Sequence, residues 1–115
     1  MNIKSEKILN STTIPNELLL DETISDKARG LLVRMLSRPC DYKFDIPKLI
    51  DEGKSGNSAV RSAIKELESQ HYVHRFSIRK NGKIAWVEYV VCDKPMSREK
   101  AEDLCQRHYG NRGEK

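Results

Sequence analysis

No stretch of this sequence approaches the roughly 20 consecutive apolar residues that a membrane-spanning helix requires. The first residues, Met1-Asn2-Ile3-Lys4-Ser5-Glu6-Lys7, carry no apolar core behind their charges. No secretory signal is read there, and a cytoplasmic protein is expected. Cysteine is scarce: Cys40, Cys92 and Cys105 are odd in number and form no C-x-x-C pair. That argues for free thiols in a reducing compartment. Phosphate-binding loops, dinucleotide fingerprints and paired-carboxylate motifs are missing. His71-x-x-His74 with Cys92 offers no fourth ligand and straddles a helix-to-strand junction, so no metal and no cofactor are expected. Around Cys105 and His108 no orienting group or oxyanion donor set can be assembled, and an enzyme is not expected. Aromatic residues make up only 6% of the chain, so Trp86, Tyr89 and Phe76 are assigned to core packing rather than to stacking on unpaired bases.

What is present is one domain's worth of chain, 115 residues and 13.3 kDa, with 37% hydrophobic and 33% charged residues. A domain of this length buries roughly two-thirds of its unfolded surface and needs no disulfide or metal to fold. The net charge is +4, and its placement says more than its size. Residues 1–53 sum to −1 and residues 84–115 to zero. Residues 54–83 carry Lys54, Arg61, Lys65, Arg75, Arg79, Lys80 and Lys83 against Glu66 and Glu68, a surplus of +5. A local basic window of this kind is the electrostatic footprint of a polyanion partner.

The local patterns predict a flexible arm over 1–10, a domain over 11–92 and a charged tail over 93–115. Ser11-Thr12-Thr13-Ile14 before Pro15 suits a short edge strand, and Asn16 a short helix through Leu18, Leu19 and Leu20. Ser25 caps a longer helix whose apolar stripe is Ala28, Leu31, Leu32, Met35 and Leu36, with Pro39 beyond its end. Gly30 inside it implies a closely packed neighbour. Asp45 caps a helix of about two turns, with Ile46, Leu49 and Ile50 inward and Gly53 as its stop. Asn57 or Ser58 caps a helix over 57–70, with Val60, Ala63, Ile64 and Leu67 inward. A strand from Tyr72 to Arg79 places Tyr72, His74, Phe76 and Ile78 on one face. Asn81-Gly82 is a two-residue hairpin signal, and 83–91 pairs back as the second strand. In the tail, Ala101, Leu104, Cys105 and His108 form a helical stripe, capped by Ser97 and stopped by Gly110. That helix needs a docking surface to persist.

Edge strand, helix, helix, tight turn, helix and basic hairpin, in that order, are the elements of a winged helix-turn-helix, an α+β fold with a three-helix core. The short C-terminal helix is an addition to it. The second helix of such a unit fits the major groove of duplex DNA. Its outward residues Ser58, Arg61, Ser62 and Lys65 suit that groove. Lys54, Ser55 and Asn57 stand at its start, where free backbone N–H groups hold phosphate. Arg75, Arg79, Lys80, Asn81 and Lys83 place the hairpin along the backbone or in the adjoining minor groove.

Several strings resemble a known family. Thr13-Ile14-Pro15-Asn16-Glu17-Leu18-Leu19, Ile24-Ser25-Asp26-Lys27-Ala28-Arg29-Gly30-Leu31-Leu32 and Ala59-Val60-Arg61-Ser62-Ala63-Ile64-Lys65-Glu66-Leu67-Glu68 are similar to the winged-helix domains of phage and plasmid replication-initiation or replisome-organiser proteins. The resemblance spans about residues 11–92 and implies DNA binding through the helix carrying Arg61 and Lys65, plus the hairpin. Where that family often has a glycine, Gln70-His71 precede Tyr72. A non-glycine there avoids a left-handed backbone or tolerates it at a cost on the order of 1 kcal/mol. The tail after Cys92 is short for an origin-melting or helicase-loading module, which directs the expectation to a small transcriptional or replication regulator of a mobile element. The alternative is a mobile-element-encoded protein-binding adaptor or inhibitor, for example of a host defence complex, working through the Leu104 and Cys105 stripe. A homodimer through the tail or first helix, and a tail folded back on its own domain, both remain open.

Overall fold

The structure, a computed structural model, describes residues 1–3 and 11–113, with side chains as far as Arg107. The elements run β1 (Asn2–Ile3), α1 (Asn16–Leu19), α2 (Asp26–Leu36), α3 (Ile46–Glu52), α4 (Asn57–Ser69), β2 (Val73–Lys80), β3 (Lys83–Cys92) and α5 (Arg98–Gly113), an α+β arrangement. Among the described residues no helix is long and apolar enough to cross a membrane.

The helices form where the sequence supplies both an apolar stripe and an end signal. Ser25 accepts from the Ala28 N–H at the start of α2, and all five stripe residues from Ala28 to Leu36 are buried. Asp45 accepts from the Lys48 N–H at the start of α3, with Pro47 in the first turn where its missing N–H costs nothing. Leu49 is buried there, and Ile46 and Ile50 pack at the margin of the core. In α4 the stripe Val60, Ala63, Ile64 and Leu67 closes against the same core.

The three-stranded sheet has the order β1-β3-β2, with β1 parallel to β3 and β2 antiparallel to it. Cross-strand pairs share a face, so the register assigns every side chain. Val73 opposite Val91, with Tyr89 two residues on, faces the helical core of α1–α4. His74 opposite Val90, and Phe76 opposite Glu88, face the other way, where α5 covers them with Ala101 and Cys105. The sheet is therefore a shared wall between two apolar clusters. The hairpin turns on Asn81 (φ 54°) and Gly82 (φ 76°), the positive-φ pair that a two-residue turn demands. A bulge follows, Ile78 pairing Trp86 and Arg79 pairing Ile84.

Several expectations are corrected. Of the arm expected over 1–10, Asn2–Ile3 form β1, and residues 4–10 lie outside the described residues. The edge strand is this segment rather than 11–14, where Ser11 makes an isolated bridge and 12–15 have no regular structure. Asn2 explains the choice: its buried amide donates to the carbonyls of Met35 (2.9 Å) and Arg38 (2.6 Å), tying this segment to the end of α2. Two residues are too short to show a period. Pro15 and Gly56, not Asn16 and Asn57 or Ser58, occupy the N-cap positions of α1 and α4. A Cβ at Gly30 would meet nothing within 4 Å, so no close neighbour requires that glycine. Gly110 does not stop the tail helix, which spans 16 residues to Gly113. A single glycine lowers helix propensity by about 1 kcal/mol without ending the helix.

Candidate nucleic-acid interface

The sequence expectations assembled this surface from α4, the turn before it and the β2–β3 hairpin. All seven cations of the 54–83 window are exposed. Along α4, Arg61, Lys65 and Glu68 recur at i, i+4 and i+7, one stripe on the face opposite the core. Ser58 and Ser62 flank it and are also exposed. Asn57 does not cap the helix. Its Oδ1 accepts instead from Nε of Arg61, one turn on, a bond that uses one of the five guanidinium N–H donors.

The acidic residues of α4 are engaged elsewhere. Glu66 accepts from the Ser25 N–H and from its hydroxyl (2.9 Å), so this carboxylate fastens α4 to the start of α2. The two Ser25 hydrogen bonds, backbone first, hold the Glu66 carboxyl below its usual pKa. Glu68 pairs with Arg75 at 3.5 Å. Among the described residues no ion pair is formed by Arg61 or Lys65. The positive field of the stripe is therefore concentrated at Arg61 and Lys65, while that of Arg75 is offset.

Packing brings one group of these residues together. Arg61 lines a cavity of about 480 Å³ together with Lys43, Phe44, Asp45, Trp86 and Tyr89. The cavity is the groove between α4, the segment entering α3, and the outer edge of β3, which β1 leaves uncovered at this height. Over the Trp86 ring stand two ammonium groups, Lys43 Nζ at 4.3 Å and Lys80 Nζ at 5.3 Å from its centroid. Arg61 from the helix thus lines the cavity itself, and Lys80 from the hairpin meets the indole that borders it. Ser55 is separate: it lines a second cavity of about 290 Å³ between α2 and α4, with Arg34 and Gly53. Lys54 lies exposed in the same turn. Asn81 serves the turn geometry, with Arg79 and Lys83 exposed on either side.

Two residues of the groove escaped the sequence reading. Lys43 sits in the window that sums to −1, so charge counting hid it. Its signal is local: the Tyr42 and Phe44 rings meet at a 5.0 Å centroid distance with their planes tilted by 59°, Phe44 is buried, and Lys43 is the exposed residue between them. Trp86 was assigned to the core, and so were Phe76 and Tyr89. The latter two are buried, but Trp86 is half-exposed at the groove, its Nε1 donating to Glu88 at 3.0 Å.

The frame behind this surface is held by buried polar contacts. Glu88, 1% exposed, meets the Met1 ammonium at 3.2 Å. Tyr72 donates to Asp21 at 2.6 Å, tying the start of β2 to the turn before α2. Hydrogen bonds from Thr23 and Tyr72 lower the Asp21 pKa, and burial raises that of Tyr72. His71 takes φ 67°, the left-handed conformation left open by the missing glycine. The Tyr72 N–H then returns to the Leu67 carbonyl at 3.0 Å, closing α4 with a Schellman-type turn. The His71 and His74 rings stack 6.0 Å apart, and His74 Nε2 lies 2.8 Å from the Met96 carbonyl. Burial lowers the His74 pKa. Among the described residues no group of three or more His, Cys, Asp or Glu is placed to hold a metal ion.

Compared with protein-family models, with curated proteins and with solved structures, the chain shows no match.

Proposed function

We propose that this chain is a winged helix-turn-helix protein that binds duplex DNA in a sequence-specific manner and acts as a small transcriptional or replication regulator of a mobile element. In this reading α3 and α4 are the helix-turn-helix, α4 enters the major groove, and the β2–β3 hairpin is the wing on the backbone. The observation that carries it is the exposed Arg61–Lys65 stripe, free of ion pairs among the described residues, beside a cationic hairpin. A helix with this face matches the width and acidity of the major groove. Of the Leu104 and Cys105 stripe on which the protein-binding alternative rests, Cys105 is buried against the sheet beside Ala101 and Leu104 is half-buried, which favours the DNA reading over the adaptor. The reading is of a binding protein without catalysis.

The test is a fluorescence anisotropy titration with labelled duplex DNA across a range of salt concentrations. With about four to six phosphates neutralised, the logarithm of affinity falls against log salt with a slope near −4 to −5. A flat response, or no binding at low salt, refutes the reading. On a selected site, Arg61→Ala costs about 1–3 kcal/mol and relaxes base preference, whereas Lys80→Ala weakens all sequences alike. Competition between selected and scrambled duplexes measures both.

A further inference from the structure

We infer that the groove between α4 and the hairpin is a phosphate clamp, in which Lys43, Lys80 and Arg61 grip one DNA strand's backbone and Trp86 positions the two lysines. The inference rests on the duplex-binding reading and extends it to two residues outside the basic window.

Three separate parts of the chain supply the cations: the segment before α3, the hairpin and α4. They border one cavity of about 480 Å³ or the indole that lines it. The acid lining the same cavity, Asp45, is engaged as the α3 cap through the Lys48 N–H at 2.8 Å. The two ammonium groups, at 4.3 and 5.3 Å from the centroid of one ring, add positive charge beside the cavity and draw a phosphate to it. Free lysines lose rotamer freedom when they meet a phosphate; lysines already resting on an indole face have less to lose. The same contacts argue against a base stacked on Trp86, because its ring carries the lysines. Glu88 fixes the indole from its Nε1 edge, so the platform is itself anchored.

The test uses the full chain and a short mixed-sequence duplex, with anisotropy for affinity and the intrinsic fluorescence of Trp86, the single tryptophan, as a local report. Saturation with duplex changes the Trp86 emission. Lys43→Ala lowers affinity about tenfold at low salt and makes the salt slope shallower by about 0.9, the value for one lost phosphate contact. Lys94→Ala, an equal loss of charge at the other end of β3, changes neither. Trp86→Leu lowers affinity with the salt slope unchanged, and Trp86→Phe, which keeps an aromatic face, recovers most of the loss. Thermal melts establish that each variant is folded at the assay temperature. If wild-type protein binds the duplex with the expected salt dependence while Lys43→Ala matches Lys94→Ala, the clamp is refuted and the duplex reading stands. A Trp86 emission that stays constant through saturation refutes it as well. Absence of wild-type binding overturns the duplex reading and the clamp with it.

Discussion

Gly30 stands in the middle of α2, exposed, with open space where its Cβ would be. The sequence reading took it as the mark of a close helix approach. Its neighbours instead leave a cavity of about 290 Å³, lined also by Ala59 and Ala63. Gly30→Ala therefore adds helix propensity and restricts the unfolded chain without a clash, and stability rises by about 0.5–1 kcal/mol in a urea titration. The cysteines divide at the same scale. Cys40 is exposed, whereas burial pushes the Cys92 thiol up to about 12 and raises that of Cys105 as well. A thiol reagent at mildly alkaline pH labels one cysteine in the native protein and all three after unfolding, as counted by mass spectrometry.

Between elements, carboxylates do much of the joining, and their protonation is the point at which the joints weaken. Glu66 ties α4 to α2 through Ser25, and its pKa in the folded protein is lowered from 4.5. A carboxyl with a lowered folded pKa contributes stability above its unfolded value and loses it as pH falls through the folded one. Glu66→Gln accordingly lowers the melting temperature at neutral pH, and the gap from wild type narrows as the pH falls below 4.5. Melts at several pH values read this directly. Asp21, held low by Thr23 and Tyr72, adds a loss of the same sign in the wild type. Under the duplex-binding reading proposed above, the joint also matters because it fastens α4, the helix that carries Arg61 and Lys65, to the start of α2.

At the scale of the whole molecule, the sheet separates two apolar layers, and α5 is the outer one. Phe76, Val90 and Cys92 would otherwise face water, and α5 answers them with Ala101 and Cys105 while Arg98 lies over the Phe76 ring at 4.5 Å. Ala101→Asp sets an unpaired charge against that layer and costs about 2–4 kcal/mol in chemical denaturation, while Lys100→Asp, one residue away and exposed, costs far less. The periods of α2, α3 and α4, the caps Ser25, Asp45 and Ser97, the turn at Asn81-Gly82 and the alternation of β2 from His74 to Ile78 were legible in the sequence, because each is written in neighbouring residues. Tyr72, expected on the face of His74, packs in the helical core instead, and His108 of the tail stripe lies outside the described side chains. The cations at Arg61 and Lys65 were legible for the same reason. What the tertiary structure alone decided joins residues far apart in the chain. It pairs Asn2 with Val91, docks α5 on the sheet, engages Glu66 at Ser25, and brings Lys43 and Lys80 to the ring of Trp86. Local spacing fixes a period and an end, but a contact between distant segments depends on the packing of everything between them, and no single stretch of sequence carries that information.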